Sequence, residues 1–369
     1  MTAPEASKRQ IALIGGSAMI GGTEVFNRRM RGLLEGTGHQ VTPLRLHSHR
    51  GDQGRIKHAL KLIATSLRAL CFVLVRKPDT VIVSAANILD VLAADLIARL
   101  TGRRDIVLVC HFNAAWRFWS MPRLVRRFAA ASQRLRVFSI ATNQKEFFQS
   151  QGIMVEPEIF PNFLNFTPAK RRARPKHAPG TPVVVLYAGR ILPEKQLAPL
   201  AAFLAGLTDN SLSIQLRLVG DCDPDYVAEI SAHIAPHFEV VFLGPTDEGG
   251  VMLAMSDADI FASFSVSDTL PLNMLEAAAH GLPILTRRSA VTEDVARLTD
   301  QVVFVENDAK AAESRATLRA MLKRPHSPNA KALLASNEAR AFRILGLPAP
   351  AQNTAAPERE RLALRRATH

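Results

Sequence analysis

Residues Tyr187–Leu200 read "YAGRILPEKQLAPL". A β-rich run, "VVVL", leads into them and ends at Gly189-Arg190. Lys195 follows five residues later, where the pattern turns helical. In open α/β sheets, ligands bind beyond the carboxyl ends of strands. Two cations there suit a diphosphate, the arginine through its planar fork and the lysine as a point charge. The plainer reading is a surface arginine and lysine on an exposed loop.

Working outward, strand-like runs alternate with helix-like segments on both sides. Downstream come "IQLRLVGD", "EVVFLG" (ending at Gly244), "DIFASF", "PILTR" and "QVVFVE". Upstream are "IALIG", "VTPLRL", "TVIVSA", "DIVLVCH" and "VFSIAT". Short β-rich runs between helices predict parallel sheets with helices on both faces. The expected fold class is α/β, with two Rossmann-like βαβ domains facing across a cleft. A basic, proline-containing stretch divides them. The expected boundaries are a first domain over 1–166, a linker over 167–182, a second domain over 183–347 and a disordered tail over 348–369. The last helix is expected to cross back to the first domain.

After "DIFASF" comes "SVSDTLPLNMLEAAAHGLPI", Ser265–Ile284, with Asp268 and Glu276 spaced D-x7-E. Pro271 suits the first turn of a helix that ends near His280, with Gly281 as its stop. The amides of Thr269 and Leu270 would face the cleft at the helix's positive end, suited to an oxyanion. A carboxylate such as Glu276 accepts both hydroxyls of a ribose. An N-cap and a surface glutamate would explain the same letters.

The first domain opens on "IALIGGSAMIGGTE", Ile11–Glu24. Its G-x-x-x-x-G-G-T lacks the lysine of a phosphate-binding P-loop, since Gly22 stands in that place. Gly21 and Gly22 leave room for backbone to approach a ligand closely, and amides at the start of the following helix can donate to it.

The chain carries 46 Lys+Arg against 33 Asp+Glu, a formal charge of +13, which suits an anionic partner. Aromatics are only 6%, too few for the interleaved basic and aromatic surface of a nucleic-acid binder. Cys71, Cys110 and Cys222 have no metal spacing. The N-terminus is polar, and no stretch reads as a transmembrane helix. A cytoplasmic protein is expected, with peripheral association at the membrane's cytoplasmic face.

Together, "AGRILPEK", "LVGD", "VFLG" and D-x7-E followed by "AAAHGLPI" resemble the family 4 retaining glycosyltransferases of GT-B fold. Weaker matches lie in "GGTE", "GHQV", "KPDTVIV" and "PNFLNF". The resemblance implies an acceptor-binding first domain and a second domain that binds a nucleotide-sugar donor, UDP- or GDP-linked. It implies Arg190 and Lys195 on the diphosphate and Glu276 on the ribose. Asp268 and His111 would lie beside the transferred sugar, with Gly21, Gly22, Gly244, Thr269 and Leu270 lining the donor. No cofactor and no metal are implied. Four positions depart from the family pattern: Asp268 replaces a glutamate, Cys222 a glycine, Asn162-Phe163 an Asn-Gly and Leu270-Pro271 a Phe-Gly. "DCD", Asp221–Asp223, has the letters of a metal motif but ends a strand away from the expected phosphates. A non-catalytic scaffold that binds nucleotide-sugars is the alternative.

Two acid-free stretches, "RIKHALKLIATSLRALCFVLVRK" (Arg55–Lys77) and "WRFWSMPRLVRRFAAASQRLR" (Trp116–Arg136), combine basic with aromatic and aliphatic residues. That combination suits an anionic membrane surface and a glycan or lipid-linked acceptor; in the alternative reading, part of each stretch packs on the first-domain sheet, with Trp116 in the core, and the arginines bind an acidic polysaccharide or a partner protein.

Overall fold

The computed structural model describes residues 8–15, 22–45, 55–113, 117–168, 181–265, 268–305, 311–323 and 330–348. Gly21, Trp116, linker residues 169–180 and the tail beyond 348 lie outside them.

The first half alternates β1 (Gln10–Gly15), α1 (Gly22–Gly36), β2 (Gln40–Leu44), α2 (Arg55–Arg76), β3 (Thr80–Ala85), α3 (Ile88–Thr101), β4 (Val107–Cys110), α4 (Pro122–Ser132), β5 (Arg136–Phe138) and α5 (Thr142–Ser150). Its five strands form one parallel sheet, in the order β2-β1-β3-β4-β5. Pro43 lies in β2, an edge strand, where a missing N–H costs no ladder bond. A capping box between Asn87 and Asp90 starts α3, and Gly102, at φ 69°, ends it in the left-handed conformation.

The second half continues β6 (Val183–Ala188), α6 (Leu197–Ala205), β7 (Ile214–Val219), α7 (Pro224–Ser231), β8 (Phe238–Gly244), α8 (Glu248–Ser256), β9 (Ile260–Ser263), α9 (Leu272–Ala279), β10 (Ile284–Arg287), α10 (Ala290–Ala296), β11 (Val302–Val305), α11 (Ala311–Lys323) and α12 (Ala330–Ile344). These six strands are also all parallel, in the order β11-β10-β9-β6-β7-β8. The architecture is α/β with two Rossmann-like domains. Every strand run read from the sequence forms a strand, because both faces of a parallel sheet are buried and its strands are near-continuously apolar.

One apolar cluster is shared by the two domains. Phe26, Met30, Phe160, Phe163 and Phe166 from the first half meet Leu270, Leu272 and Met274 from the second, and Phe342 from α12. Helix α12 packs against first-half residues. Asn337 Nδ2 donates to the Phe163 carbonyl (3.0 Å), Glu338 accepts from the Asn165 amide (3.0 Å), and Arg343 pairs with Glu158 (2.8 Å).

The sequence reading of Trp116–Arg136 as a mixed aromatic and basic surface needs correction. Phe118 and Phe128 are buried, and Trp119 packs beside them against Phe112, Phe147 and Phe148. Trp119 Nε1 donates to the Asn113 carbonyl (2.8 Å). Burying these rings outweighs leaving them at the surface, by about 1.5–3 kcal/mol for a Phe-sized side chain. What α4 exposes is basic: Arg123, Arg126 and Arg127. The exposed aliphatic residues lie instead on the neighbouring helices, Ile63, Leu67, Leu74 and Val75 on α2 and Leu96 and Leu100 on α3. No helix among the described residues is long and apolar enough to cross a membrane.

The shared cluster sets a stability test. Phe342 is 1% exposed. Phe342→Ala should cost about 3–5 kcal/mol of unfolding free energy in urea titration, the usual range for a buried phenylalanine. A cost under about 1 kcal/mol would show that α12 is not docked this way.

Candidate functional site

In the second sheet the strand order reverses between β6 and β9, the kind of switch point at which open α/β sheets bind ligands. The β6 loop holds Arg190 and Lys195, and the β9 loop holds Asp268. Gly189, at φ 152°, makes the first turn. A Cβ there would lie 3.0 Å from the Tyr187 hydroxyl. Gly220, after β7, packs tighter still, since a side chain would overlap the Gly189 carbonyl. Tyr187 Oη donates to the Arg190 carbonyl (3.1 Å), and the Arg190 residue stays exposed.

Lys195 ends a short 3₁₀ turn, Pro193–Lys195, and is buried. Its Nζ donates to Asp268 Oδ1 at 2.5 Å. The sequence reading gave these residues separate parts of a ligand; the structure makes them an ion pair. A buried ammonium needs a counter-charge, and the β9 loop supplies it. Asn273, which the sequence reading passed over, donates from Nδ2 to the Ala188 carbonyl (2.7 Å) and ties the start of α9 to the end of β6. Its signal was an amide in the first turn of a helix whose other polar side chain is Glu276 alone.

Pro271 takes the N-cap position of α9, one residue before the first turn expected from the sequence, and Gly281, at φ 71°, follows its end. Thr269 and Leu270 are both buried. Leu270 enters the shared apolar cluster. Thr269 Oγ1 reaches across to the first domain and donates to the His111 carbonyl (3.2 Å). Gly244 ends β8 at φ 72°, with open space where a Cβ would stand, and Gly22 opens α1 in similarly open space.

His111 follows β4 directly, and its amide donates to the Ala85 carbonyl (2.8 Å). Its ring leans on Phe26, with centroids 4.7 Å apart, and its Nε2 is buried without a hydrogen-bond partner. Burial lowers its pKa from 6.5 to about 3, so the ring is neutral at physiological pH.

Glu276 lies within α9, and its carboxylate is paired across to the first domain. Oε1 accepts from Arg29 Nη2 at 2.6 Å, and the same nitrogen donates to Glu248 Oε1 at 2.7 Å. Arg28 binds the other Glu248 oxygen at 2.6 Å. Burial raises the Glu276 pKa, and Arg29 opposes that rise. The sequence reading had no place for Arg29.

Among the described residues, no group of three His, Cys, Asp or Glu side chains is placed to hold a metal. Asp223 of "DCD" caps α7 by accepting from the Asp225 amide. A cavity between the domains is lined by Ile140, Phe160, Asn162, Leu270, Leu275 and Asp294 among others; His111, Lys195 and Asp268 do not line it.

Residues 182–323 match the family model of glycosyl transferases group 1. Among curated proteins, none matches this chain in sequence. Solved structures are similar along almost the whole chain. The lipopolysaccharide outer core galactosyltransferase WaaB is 16% identical with a TM-score of 0.60, over 91% of this chain and 98% of its own. WaaG, a glycosyltransferase involved in lipopolysaccharide biosynthesis, is 16% identical with a TM-score of 0.59, over 91% and 100%. Sucrose-phosphate synthase from Thermosynechococcus elongatus is 14% identical with a TM-score of 0.63, over 98% and 100%. At these identities the likeness establishes the fold, GT-B, and the family match supports glycosyl transfer.

His111 gives the site a pH signature. In the unfolded chain the imidazole takes up a proton near pH 6.5, and in the fold only near 3. Stability from this residue is complete above 6.5 and falls as the pH drops toward 3, by at most about 1.4 kcal/mol per unit. His111→Gln should flatten that part of the stability-against-pH curve. Parallel curves for variant and wild type would mean that the ring protonates freely in the fold.

Proposed function

We propose that this protein is a retaining glycosyltransferase that moves a sugar from a UDP- or GDP-sugar to a glycan or lipid-linked acceptor without a metal ion. The observation that carries the reading is the convergence of Arg190, Lys195 and Asp268 at the strand-order reversal, with His111 of the other domain joined to Thr269 beside them. The bond from the anomeric carbon to the diphosphate breaks, and a bond to an acceptor oxygen forms on the same face. The acceptor's hydroxyl proton passes to the departing diphosphate. Negative charge grows on that leaving group, and Arg190 and Lys195 stabilise it where it appears. Asp268 holds Lys195 in place and lies next to the sugar. His111, being neutral, lends a hydrogen-bonding nitrogen to the sugar without adding charge. Glu276 accepts the ribose hydroxyls.

A second reading is a scaffold that binds nucleotide-sugars without turnover. The internal pairing of Lys195 with Asp268 and of Glu276 with Arg29 favours it, because each charge already has a partner. Turnover separates the two readings.

Two of the similar structures are named for lipopolysaccharide work, and the first domain here exposes basic and aliphatic residues on α2, α3 and α4. A lipid-linked acceptor at an anionic membrane surface fits that face.

UDP-, GDP- or ADP-sugar should raise the melting temperature of wild type, since a ligand that binds only the folded state stabilises it. Arg190→Ala and Lys195→Met should each lose roughly 2–4 kcal/mol of transition-state stabilisation, measured as kcat/KM with the stabilising donor. Near-wild-type values in both would remove the diphosphate clamp. Wild type should also sediment with anionic liposomes at low salt and less at high salt, each basic residue contributing about 1 kcal/mol. Reversing Arg123, Arg126 and Arg127 to glutamate should release it. Equal sedimentation of wild type and this variant would place the contact elsewhere, and no sedimentation of wild type at all would end the membrane reading.

A further inference from the structure

Arg29 belongs to α1 of the first domain, yet its charge is spent on the second. Its residue is 3% exposed, which is rare for an arginine without a structural or functional reason. The face of its guanidinium lies 4.8 Å from the Phe166 ring centroid and 5.9 Å from that of Phe163, both on the segment that follows the first sheet. Nη2 then binds Glu276 and Glu248 together, and Nε adds a longer contact to Glu248 (3.3 Å). The remaining nitrogen, Nη1, is buried and has no partner.

Glu276 needs help to serve as an acceptor. It is largely desolvated, which favours its protonated form, and a protonated carboxyl could accept fewer hydroxyls. The charged groups around it are Arg29 and Arg28 from α1 and Glu248 from α8. On its own helix, the His280 ring is bonded to the Glu276 carbonyl. Glu248 opposes ionisation of Glu276, and Arg29, bonded to both carboxylates, is the stronger of the two guanidinium groups that favour it. An ionised carboxylate has about four acceptor positions. Arg29 takes one on Oε1, leaving capacity for a diol.

We propose that Arg29 is a positioning residue for the nucleoside of the donor: it reaches from the first domain to hold Glu276 ready for the two ribose hydroxyls, so ribose is recognised only when the domains are together. This rests on the donor reading above. It assigns the closing of the cleft a role in binding, through a residue that touches neither the diphosphate nor the sugar.

The experiment compares UDP and GDP with their 2′,3′-dideoxy forms by calorimetry, in wild type, Arg29→Gln, Arg29→Lys and Glu276→Ala. In wild type, losing the ribose hydroxyls should weaken the better nucleotide by about tenfold or more, the scale of charge-assisted hydrogen bonds. In Arg29→Gln and in Glu276→Ala the ratio between the two forms should collapse toward one. Arg29→Lys, which keeps a charge but loses the fork, should restore part of it. The ratio compares two ligands on one folded protein, so a general loss of stability does not move it. A wild-type ratio near one would overturn the ribose reading itself. A wild-type ratio that Glu276→Ala abolishes and Arg29→Gln leaves intact would overturn the role of Arg29 alone. A ratio that collapses in Arg29→Gln but survives in Glu276→Ala would show that Arg29 does not act through that carboxylate.

Discussion

A parallel strand cannot be followed by a hairpin to its neighbour; each connection must cross back over the sheet. Every strand in both sheets of this protein is parallel to its neighbours, so helices cover both faces and the strand ends carry the loops. That constraint settles where chemistry can be placed. Polar groups cannot be scattered through the sheets without losing burial. They collect at the carboxyl ends, and in the second sheet the reversal between β6 and β9 brings two such loops together. Arg190, Lys195 and Asp268 are separated by up to 78 positions in sequence, yet Lys195 and Asp268 end in contact.

The same constraint explains why so much was legible. Strands buried on both faces are written as apolar runs, and no other local signal competes with them. The cations at Arg190 and Lys195 stood out because charge directly after such a run is at a strand end. Arg29 was hidden for the opposite reason. In sequence it is one arginine among three in "NRRMR", on an amphipathic helix where a charge reads as the solvated face. Its partners lie 219 and 247 residues away, and nothing local announces them. The aromatic residues in α4 and in the turn before it misled in another way. Composition showed tryptophan and phenylalanine beside arginine but not which side of the helix each occupied. Phe118, Trp119 and Phe128 went inward because the sheet needed covering.

Charge is distributed between the domains in a pattern that suits a ligand bound across them. The second domain's Lys195 is compensated within that domain, by Asp268. Its Glu276 and Glu248 are compensated from the first domain, by Arg28 and Arg29. Separating the domains would leave two carboxylates and a stacked guanidinium short of partners. Desolvated charges without partners are costly, so the electrostatics favour the closed arrangement even before a nucleotide arrives.

Helix α12 adds a geometric consequence. The chain passes from the first domain to the second beyond residue 168, and returns in α12 to lie against 158–165 of the first. Two bodies joined along a single tether can twist and slide. Two bodies joined at two points keep one easy freedom, rotation about the line through both. Two attachments thus favour a swing about the line through them over twisting or sliding. The residues far from it, rather than those beside it, travel furthest.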